Sequence, residues 1–64
     1  MKTFKVEFVI TTFVRVDGYL ESCDIGFLEF YTARTKRGAR CLAITDYLRK
    51  GDQIKFESVS EIDY

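Results

Sequence analysis

The stretch from Thr3 to Val16 constrains the fold of this chain more than any other, because its apolar side chains alternate with polar ones. Alternation with a period of two residues predicts a β-strand that buries one face. The stretch has fourteen residues, whereas an average strand has about six, so we expect it to lie in the middle of a small sheet. A kink is expected near Thr11 and Thr12, where Val9 and Phe13 fall out of phase. The in-phase apolar positions are Phe4, Val6, Phe8, Ile10, Val14 and Val16.

A tight turn is predicted directly after this strand, at Asp17 and Gly18. This pair tolerates the positive φ angles of a two-residue hairpin, so a return strand begins at Tyr19. If the loop has only two residues, the strands pair without interruption, and Glu29 then lies beside Val6 on the buried face.

A longer loop or a bulge would give a different register. A three-residue loop, or a bulge near residues 22–24 or at Gly26, would turn Glu29 outward. It would also bring three large apolar side chains inward, those of Leu20, Leu28 and Phe30. We favour this second register from Gly26 onward, because an unpaired buried carboxylate costs more free energy than a bulge.

A helical pattern lies between Thr35 and Gly51. The Thr35 hydroxyl is placed to accept a hydrogen bond from the backbone N–H of Gly38, and Gly51 predicts the C-terminal stop. Apolar residues at helical spacing predict an inward stripe. Leu42 points about 100° away from Cys41, so we expect it near solvent. The predicted inward stripe is Cys41, Ile44 and Leu48, flanked by Ala43 and Tyr47.

Alternation resumes at Gln53 and predicts a third strand. Ile54 and Phe56 point one way and Ile62 keeps their phase, whereas Val59 breaks it and is expected on the opposite face. A right-handed helical crossover places the third strand parallel to the second, with the first strand between them. The predicted fold is α+β in the order β-β-α-β, with a three-stranded antiparallel sheet (order 2-1-3) and one helix packed on one face. With 64 residues, we expect a single small domain, residues 1–64.

One residue type that enzymes use most often is missing from this chain. It has no histidine, which removes the commonest general base and metal ligand. The two thiols supply only half of a zinc site, and we expect Cys41 in the core and Cys23 exposed near the hairpin. The four glycines are scattered, so no phosphate-binding loop exists. We therefore expect a non-enzymatic protein with no catalytic residue, metal or cofactor.

The expected compartment is the cytoplasm. Charged residues interrupt every apolar run that would suit secretion or a membrane span, so we expect no membrane contact. Two cysteines cannot form the dense disulfide framework of a small secreted domain, and reduced thiols are expected.

Positive charge is concentrated at the predicted helix start. Residues 34–50 carry six basic residues and one acidic residue. The N-terminal end of a helix already favours anions, and Phe30 and Tyr31 stand just before it. This patch predicts a partner with negative charge, either a protein with an acidic surface or, as the alternative, a nucleic acid. The predicted basic patch is Arg34, Lys36, Arg37 and Arg40.

One helix covers only one face of a sheet, so the opposite face is predicted to be open. Apolar and aromatic residues there, beside two edge strands, indicate association by face packing or by strand addition. The partner is either another protein or a second copy that completes a small homodimer. The predicted contact residues are Val9, Phe13, Tyr19, Phe27 and Tyr31, with Leu42 as an exposed helix residue.

The whole layout, with strands that turn at Asp17-Gly18, a helix from Thr35 and a last strand from Gln53, resembles the very small early proteins of tailed bacteriophages. The short inhibitors of host RNA polymerase made by T7-like phages have a similar size and element order. The resemblance implies a protein that binds and inhibits one host protein in the host cytoplasm. We expect a protein-binding module of this kind, with a nucleic-acid-binding module and a structural homodimer as the alternatives.

Overall fold

The alternating N-terminal stretch forms strand β1, Lys2–Val16, in the computed structural model, which describes residues 1–62. Strand β2, Tyr19–Ala33, and strand β3, Gln53–Ile62, lie on either side of it, and helix α1, Lys36–Tyr47, connects them. The strand order is β2-β1-β3, and β1 is antiparallel to both neighbours. The predicted α+β fold, its element order and the central position of β1 are therefore confirmed.

The hairpin between β1 and β2 has a two-residue turn and an uninterrupted register. Asp17 and Gly18 have φ angles of 51° and 82°, the positive pair that a type I′ turn requires. Val16 pairs with Tyr19, and the register runs on to Val6 opposite Glu29 without a shift.

The favoured register with a bulge is therefore wrong. Glu29 lies on the helix-covered face, while Leu20, Leu28 and Phe30 lie on the open face. The argument for a bulge assumed that Glu29 would be fully buried. Because β2 is an edge strand, Glu29 is only half-buried, and its carboxylate lies beside the Tyr47 hydroxyl. The penalty that the bulge would have avoided is therefore small.

An irregularity does occur in β3. The pairing with β1 shifts between Glu7 and Phe8, which leaves Glu57 as the extra residue of a bulge. This shift returns Val59 to the helix-covered face, where it pairs with Val6 and packs against the core. The prediction that Val59 lies on the open face is therefore wrong, because a bulge reverses the alternation of side chains beyond it.

Helix α1 begins as predicted. The Thr35 hydroxyl accepts a hydrogen bond of 3.1 Å from the backbone N–H of Gly38. The helix ends earlier than predicted, with Leu48 as its C-cap. The chain then turns at residues 49–52, where the backbone N–H of Asp52 donates to the carbonyl of Arg49. Gly51 supplies the positive φ angle, 92°, inside this turn.

The face that α1 buries combines two alanines with larger side chains at its C-terminal end. Ala39 and Ala43 are completely buried, and Tyr47 and Leu48 pack against the core. Cys41 and Ile44 are exposed, so their place in the predicted stripe is wrong, whereas the inward position of Leu48 is confirmed. Most bulky core side chains come from the sheet, and the alanines let α1 approach them closely. Four core residues belong to β1: Phe4, Val6, Phe8 and Ile10.

The molecule is elongated, with extents of 48 × 17 × 12 Å. Pairing between β1 and β3 ends at Thr11, so residues 12–23 form a two-stranded hairpin arm that extends past β3. The core lies at the other end, where Phe8 contacts Phe27, Tyr47 and Phe56 with ring centroids 5.3 to 6.0 Å apart. No helix within residues 1–62 is long and apolar enough to cross a membrane.

Candidate functional site

The open face of the sheet carries a stripe of large apolar side chains, which we call the open-face stripe. Two strands supply it, because odd-numbered residues of β1 share this face with even-numbered residues of β2. Leu20, Leu28 and Phe30 are 68%, 50% and 56% exposed, and Phe13 is 44% exposed. The open-face stripe consists of Val9, Phe13, Leu20, Leu28 and Phe30.

Polar groups surround and interrupt the stripe. The Thr11 hydroxyl donates a hydrogen bond of 2.7 Å to the Asp24 carboxylate between its two halves. At one margin the Lys5 ammonium lies 3.6 Å from the Glu7 carboxylate. An apolar centre with a polar rim is the usual anatomy of a protein–protein contact surface.

A shallow depression lies in the middle of the stripe, at Gly26. This residue pairs with Val9 and has no side chain to cover it. A Cβ atom placed on Gly26 would meet no atom within 4 Å, so internal packing does not require glycine there. A glycine inside a strand often marks a place where another molecule approaches closely.

Three of the residues predicted on the open face lie on the opposite side of β2. Phe27 and Tyr31 lie on the helix-covered face, half-buried and packed against the core, so their assignment to the open face is wrong. Tyr19 shares their side of β2 but lies at the end of the hairpin arm, where it is 74% exposed. Val9 and Phe13 are on the open face. The uninterrupted hairpin register would have predicted Leu20, Leu28 and Phe30 as the β2 residues of the open face, in place of Phe27 and Tyr31.

The outer surface of α1 is also partly apolar. Leu42 and Ile44 are 39% and 37% exposed, and the Cys41 thiol is free and exposed beside them. Cys23, in the hairpin arm, is free and exposed as well. The prediction of a core position for Cys41 is wrong, because Ala39 and Ala43 lie on the face of α1 that packs on the sheet and Cys41 does not.

The predicted basic patch lies at the end of the molecule opposite the hairpin turn. Within residues 1–62, no carboxylate lies within 4.0 Å of any of its four cations. The Arg40 guanidinium lies 6.0 Å from the centre of the Phe56 ring, the geometry of a cation–π contact. The nearby Lys2 ammonium is paired with the Glu61 carboxylate at 3.2 Å. The patch, all four residues of it exposed, consists of Arg34, Lys36, Arg37 and Arg40.

Two tyrosines lie between α1 and β2 with perturbed hydroxyl groups. Burial, followed by the nearby Asp46 side chain, raises the pKa of Tyr31 well above its ordinary value. Desolvation and the Glu29 carboxylate raise the pKa of Tyr47. The Tyr31 hydroxyl oxygen is buried, and no group among residues 1–62 meets the criteria of a hydrogen bond to it, although the Asp46 side chain lies near enough to raise its pKa.

A groove of about 440 Å³ lies where the C-terminal end of α1 meets the base of the hairpin arm. Its floor is apolar, and the 49–52 turn forms one wall. Within residues 1–62 no group of three potential metal ligands exists, and the groove contains no nucleophile paired with a base. Its lining residues are Ile10, Thr12, Ile25, Phe27, Asp46, Tyr47, Arg49 and Asp52.

Comparison of the chain with protein-family models, with curated proteins and with solved structures found no match.

Proposed function

We propose that this chain is a small non-enzymatic module that binds another protein through the open-face stripe. The observation that carries the proposal is the exposure of four large apolar side chains on a single face of the sheet, with α1 on the other face. Exposed apolar residues that are scattered need no explanation, whereas large apolar side chains gathered on one face with polar groups around them indicate a contact surface.

The geometry of the stripe suits a convex apolar partner. Leu28 and Phe30 are neighbours on one face of β2, and Val9 lies diagonally across from Leu28. The gap at Gly26 adjoins both Val9 and Leu28, so a partner side chain can enter there and contact backbone atoms. The residues that dominate the binding energy of a contact surface are typically large side chains near its centre.

The partner class follows from the resemblance to the small early proteins of T7-like phages. Such proteins bind and inhibit one host protein, so we propose a host protein, such as a component of the transcription machinery, as the partner in the host cytoplasm. The basic patch at the helix start adds a preference for an acidic surface on that partner, since its cations have no carboxylate within 4.0 Å in residues 1–62.

The test compares two double variants, each of which replaces two exposed apolar side chains with serine. Leu28→Ser with Phe30→Ser removes two of the five side chains of the stripe, and Leu42→Ser with Ile44→Ser removes two exposed apolar side chains from α1. Each protein is used to capture partners from nuclease-treated bacterial lysate, and the binding of the captured protein is then measured with purified components.

We expect the helix variant to bind like the original chain. The stripe variant should bind at least about tenfold more weakly, since truncation of two anchors costs more than the 1.4 kcal/mol that corresponds to a factor of ten. Both variants should retain the circular dichroism spectrum of the original chain, because none of the four side chains belongs to the buried core. Unchanged binding by the stripe variant would refute the proposal.

Nucleic-acid binding through the basic patch is the second candidate, favoured by the same lack of nearby carboxylates. A variant with Arg34→Glu and Arg37→Glu should lose DNA and RNA binding, whereas Arg15→Glu with Lys55→Glu, which changes net charge equally, should retain it. Affinity should fall steeply with salt, with a slope of roughly −0.9 for each phosphate contacted in a double-logarithmic plot. Equal effects of the two variants would show that only net charge matters.

A further inference from the structure

The outer edge of β2 is the least protected strand edge in the part of the chain that the structure describes. β2 runs for 15 residues with no register shift, and no described strand pairs with its outer side. It contains no proline and no lysine, two residues that commonly prevent strand edges from pairing. The opposite edge, on β3, has both a bulge at Glu57 and a lysine at position 55.

The hairpin turn sets the direction of the backbone groups of β2. The two residues that flank a two-residue turn bond to each other, so the N–H and C=O groups of Tyr19 point toward Val16 in β1. These directions alternate along a strand, and the seven even-numbered residues from Leu20 to Thr32 therefore point away from β1. With one donor and one acceptor each, they can form a ladder of about fourteen hydrogen bonds.

We propose that this edge pairs with the same edge of a second copy of the chain, antiparallel and centred on Gly26. The two β2 strands would then join two sheets into one continuous sheet with a twofold axis through Gly26. This register overlaps all 15 residues of β2, from Tyr19 opposite Ala33 to Ala33 opposite Tyr19. An isologous contact of this kind needs a self-complementary surface, and the residue pairs supply it.

The positions of the carboxylates select this register. In the register centred on Gly26, no two carboxylates oppose each other. Asp24 faces Leu28 of the second copy, Glu29 faces Cys23, and Glu21 faces Tyr31. A contact centred on Ile25 would place Glu21 opposite Glu29, and one centred on Asp24 would place Asp24 opposite itself. Like charges directly opposite each other destabilise paired strands. Registers centred on residues after Gly26 pair fewer residues of β2 and therefore form fewer hydrogen bonds.

Charge complementarity between the two ends of the molecule supports the same arrangement. The hairpin arm carries Asp17 and Glu21 near its turn, against one basic residue, Arg15, and the basic patch begins at Arg34, directly after Ala33. Because Ala33 faces Tyr19 of the second copy, the turn at Asp17 lies beside Arg34 of that copy. The twofold axis repeats this contact, so each acidic arm meets a basic end.

Apolar side chains on the helix-covered face also meet across this edge. Ile25 of each copy would face Phe27 of the other, both next to the groove at the base of the arm. Tyr19 would pair with Ala33 of the other copy. Leu42 is on the β2 side of α1, one helical turn before Asp46, which lies near Tyr31. The proposal thus places Tyr19 and Leu42, both exposed in one chain, near the contact.

The dimer is independent of the proposed function. A twofold axis perpendicular to the sheet keeps both open faces on the same side, so two open-face stripes would form one longer surface. Dimer formation is measured on the purified chain alone, whereas partner binding requires a second protein. Either proposal can therefore fail without the other.

The first experiment uses the native Cys23 thiol as a probe. In the background Cys41→Ser, the substitution Glu29→Cys places a thiol directly opposite Cys23 of the second copy, in a non-hydrogen-bonded pair with Cα atoms about 4.5 Å apart. Mild oxidation should yield a covalent dimer with two disulfides. Glu21→Cys in the same background is the control, because it also replaces one glutamate on the same side of β2 but faces Tyr31.

The second experiment tests the backbone ladder. Gly26→Pro removes the outward N–H at the centre of the contact but no hydrogen bond to β1, and Gly26→Ala retains this donor. By sedimentation at about 100 µM, above the micromolar range in which weak interfaces dissociate, the original chain and Gly26→Ala should be dimers. Gly26→Pro should be a monomer with an unchanged circular dichroism spectrum, and added salt should weaken the dimer of the original chain.

A monomeric original chain at this concentration would overturn the proposal. Equal cross-linking of the Glu29→Cys and Glu21→Cys variants would overturn it as well, since it would indicate random collision. Dimers of Gly26→Pro as strong as those of Gly26→Ala would show that the copies associate through another surface. If Gly26→Pro fails to fold, the cross-linking comparison alone decides the outcome.

Discussion

The buried hydroxyl of Tyr31 provides the sharpest test of the packing between α1 and β2, through the substitution Tyr31→Phe. The hydroxyl oxygen has no hydrogen-bond partner among residues 1–62, yet folding removes it from water. A buried polar group without a partner costs about 1–3 kcal/mol, and phenylalanine retains the ring without this cost. We therefore expect the free energy of unfolding to rise by about 1 kcal/mol, toward the lower end of that range because Tyr31 is only half-buried.

For a chain of this size, 1 kcal/mol corresponds to an increase of about 4–8 °C in the melting temperature. Urea denaturation followed by circular dichroism measures the free energy directly, and an unchanged slope would show that only stability has changed. Tyr47→Phe is the matched control, because the Tyr47 hydroxyl lies beside the Glu29 carboxylate and its removal should not stabilise the fold. Destabilisation by Tyr31→Phe would refute the reasoning and show that the hydroxyl has a stabilising partner such as Asp46.

Three further outcomes follow from the structure. The folded state raises the pKa of Tyr31 and Tyr47, so it retains protons that the unfolded chain releases above about pH 10. The free energy of unfolding should therefore be insensitive to these groups below that pH and should fall above it. The fall should be less steep in the Tyr31→Phe variant. Thr35→Ala removes the acceptor for the Gly38 N–H and should cost about 1 kcal/mol in thermal unfolding. Ala43→Leu overfills a completely buried site and should cost about 1–3 kcal/mol, whereas Cys41→Leu on the exposed side of α1 should change stability by less than about 0.5 kcal/mol.

The topology was predictable because local signals specified it. Alternation defined the strands, Asp17-Gly18 defined the turn, and the Thr35 cap defined the start of the helix. A crossover helix between two strands then allowed few arrangements of the sheet, so the order β2-β1-β3 followed. Each of these signals depends on residues close together in the chain, and no knowledge of the packed structure was needed.

The assignment of residues to the two faces was less predictable. One decision about register, made to keep Glu29 out of the core, moved Phe27 and Tyr31 to the open face and Leu28 and Phe30 to the covered one. A shift of a single residue reverses every side chain of a strand, so one error of this kind changed most of the predicted contact surface.

The sequence by itself determined the element types, their order and the absence of histidine, the commonest general base and metal ligand. The tertiary structure decided which side chains are exposed, since this depends on the register of β2, on the bulge at Glu57 and on the alanines that α1 buries. It also decided where the charges lie, because the basic patch and the hairpin turn with its nearby carboxylates are at opposite ends of the elongated molecule. Local propensity acts over a few residues, whereas exposure is set by neighbours that are distant along the chain.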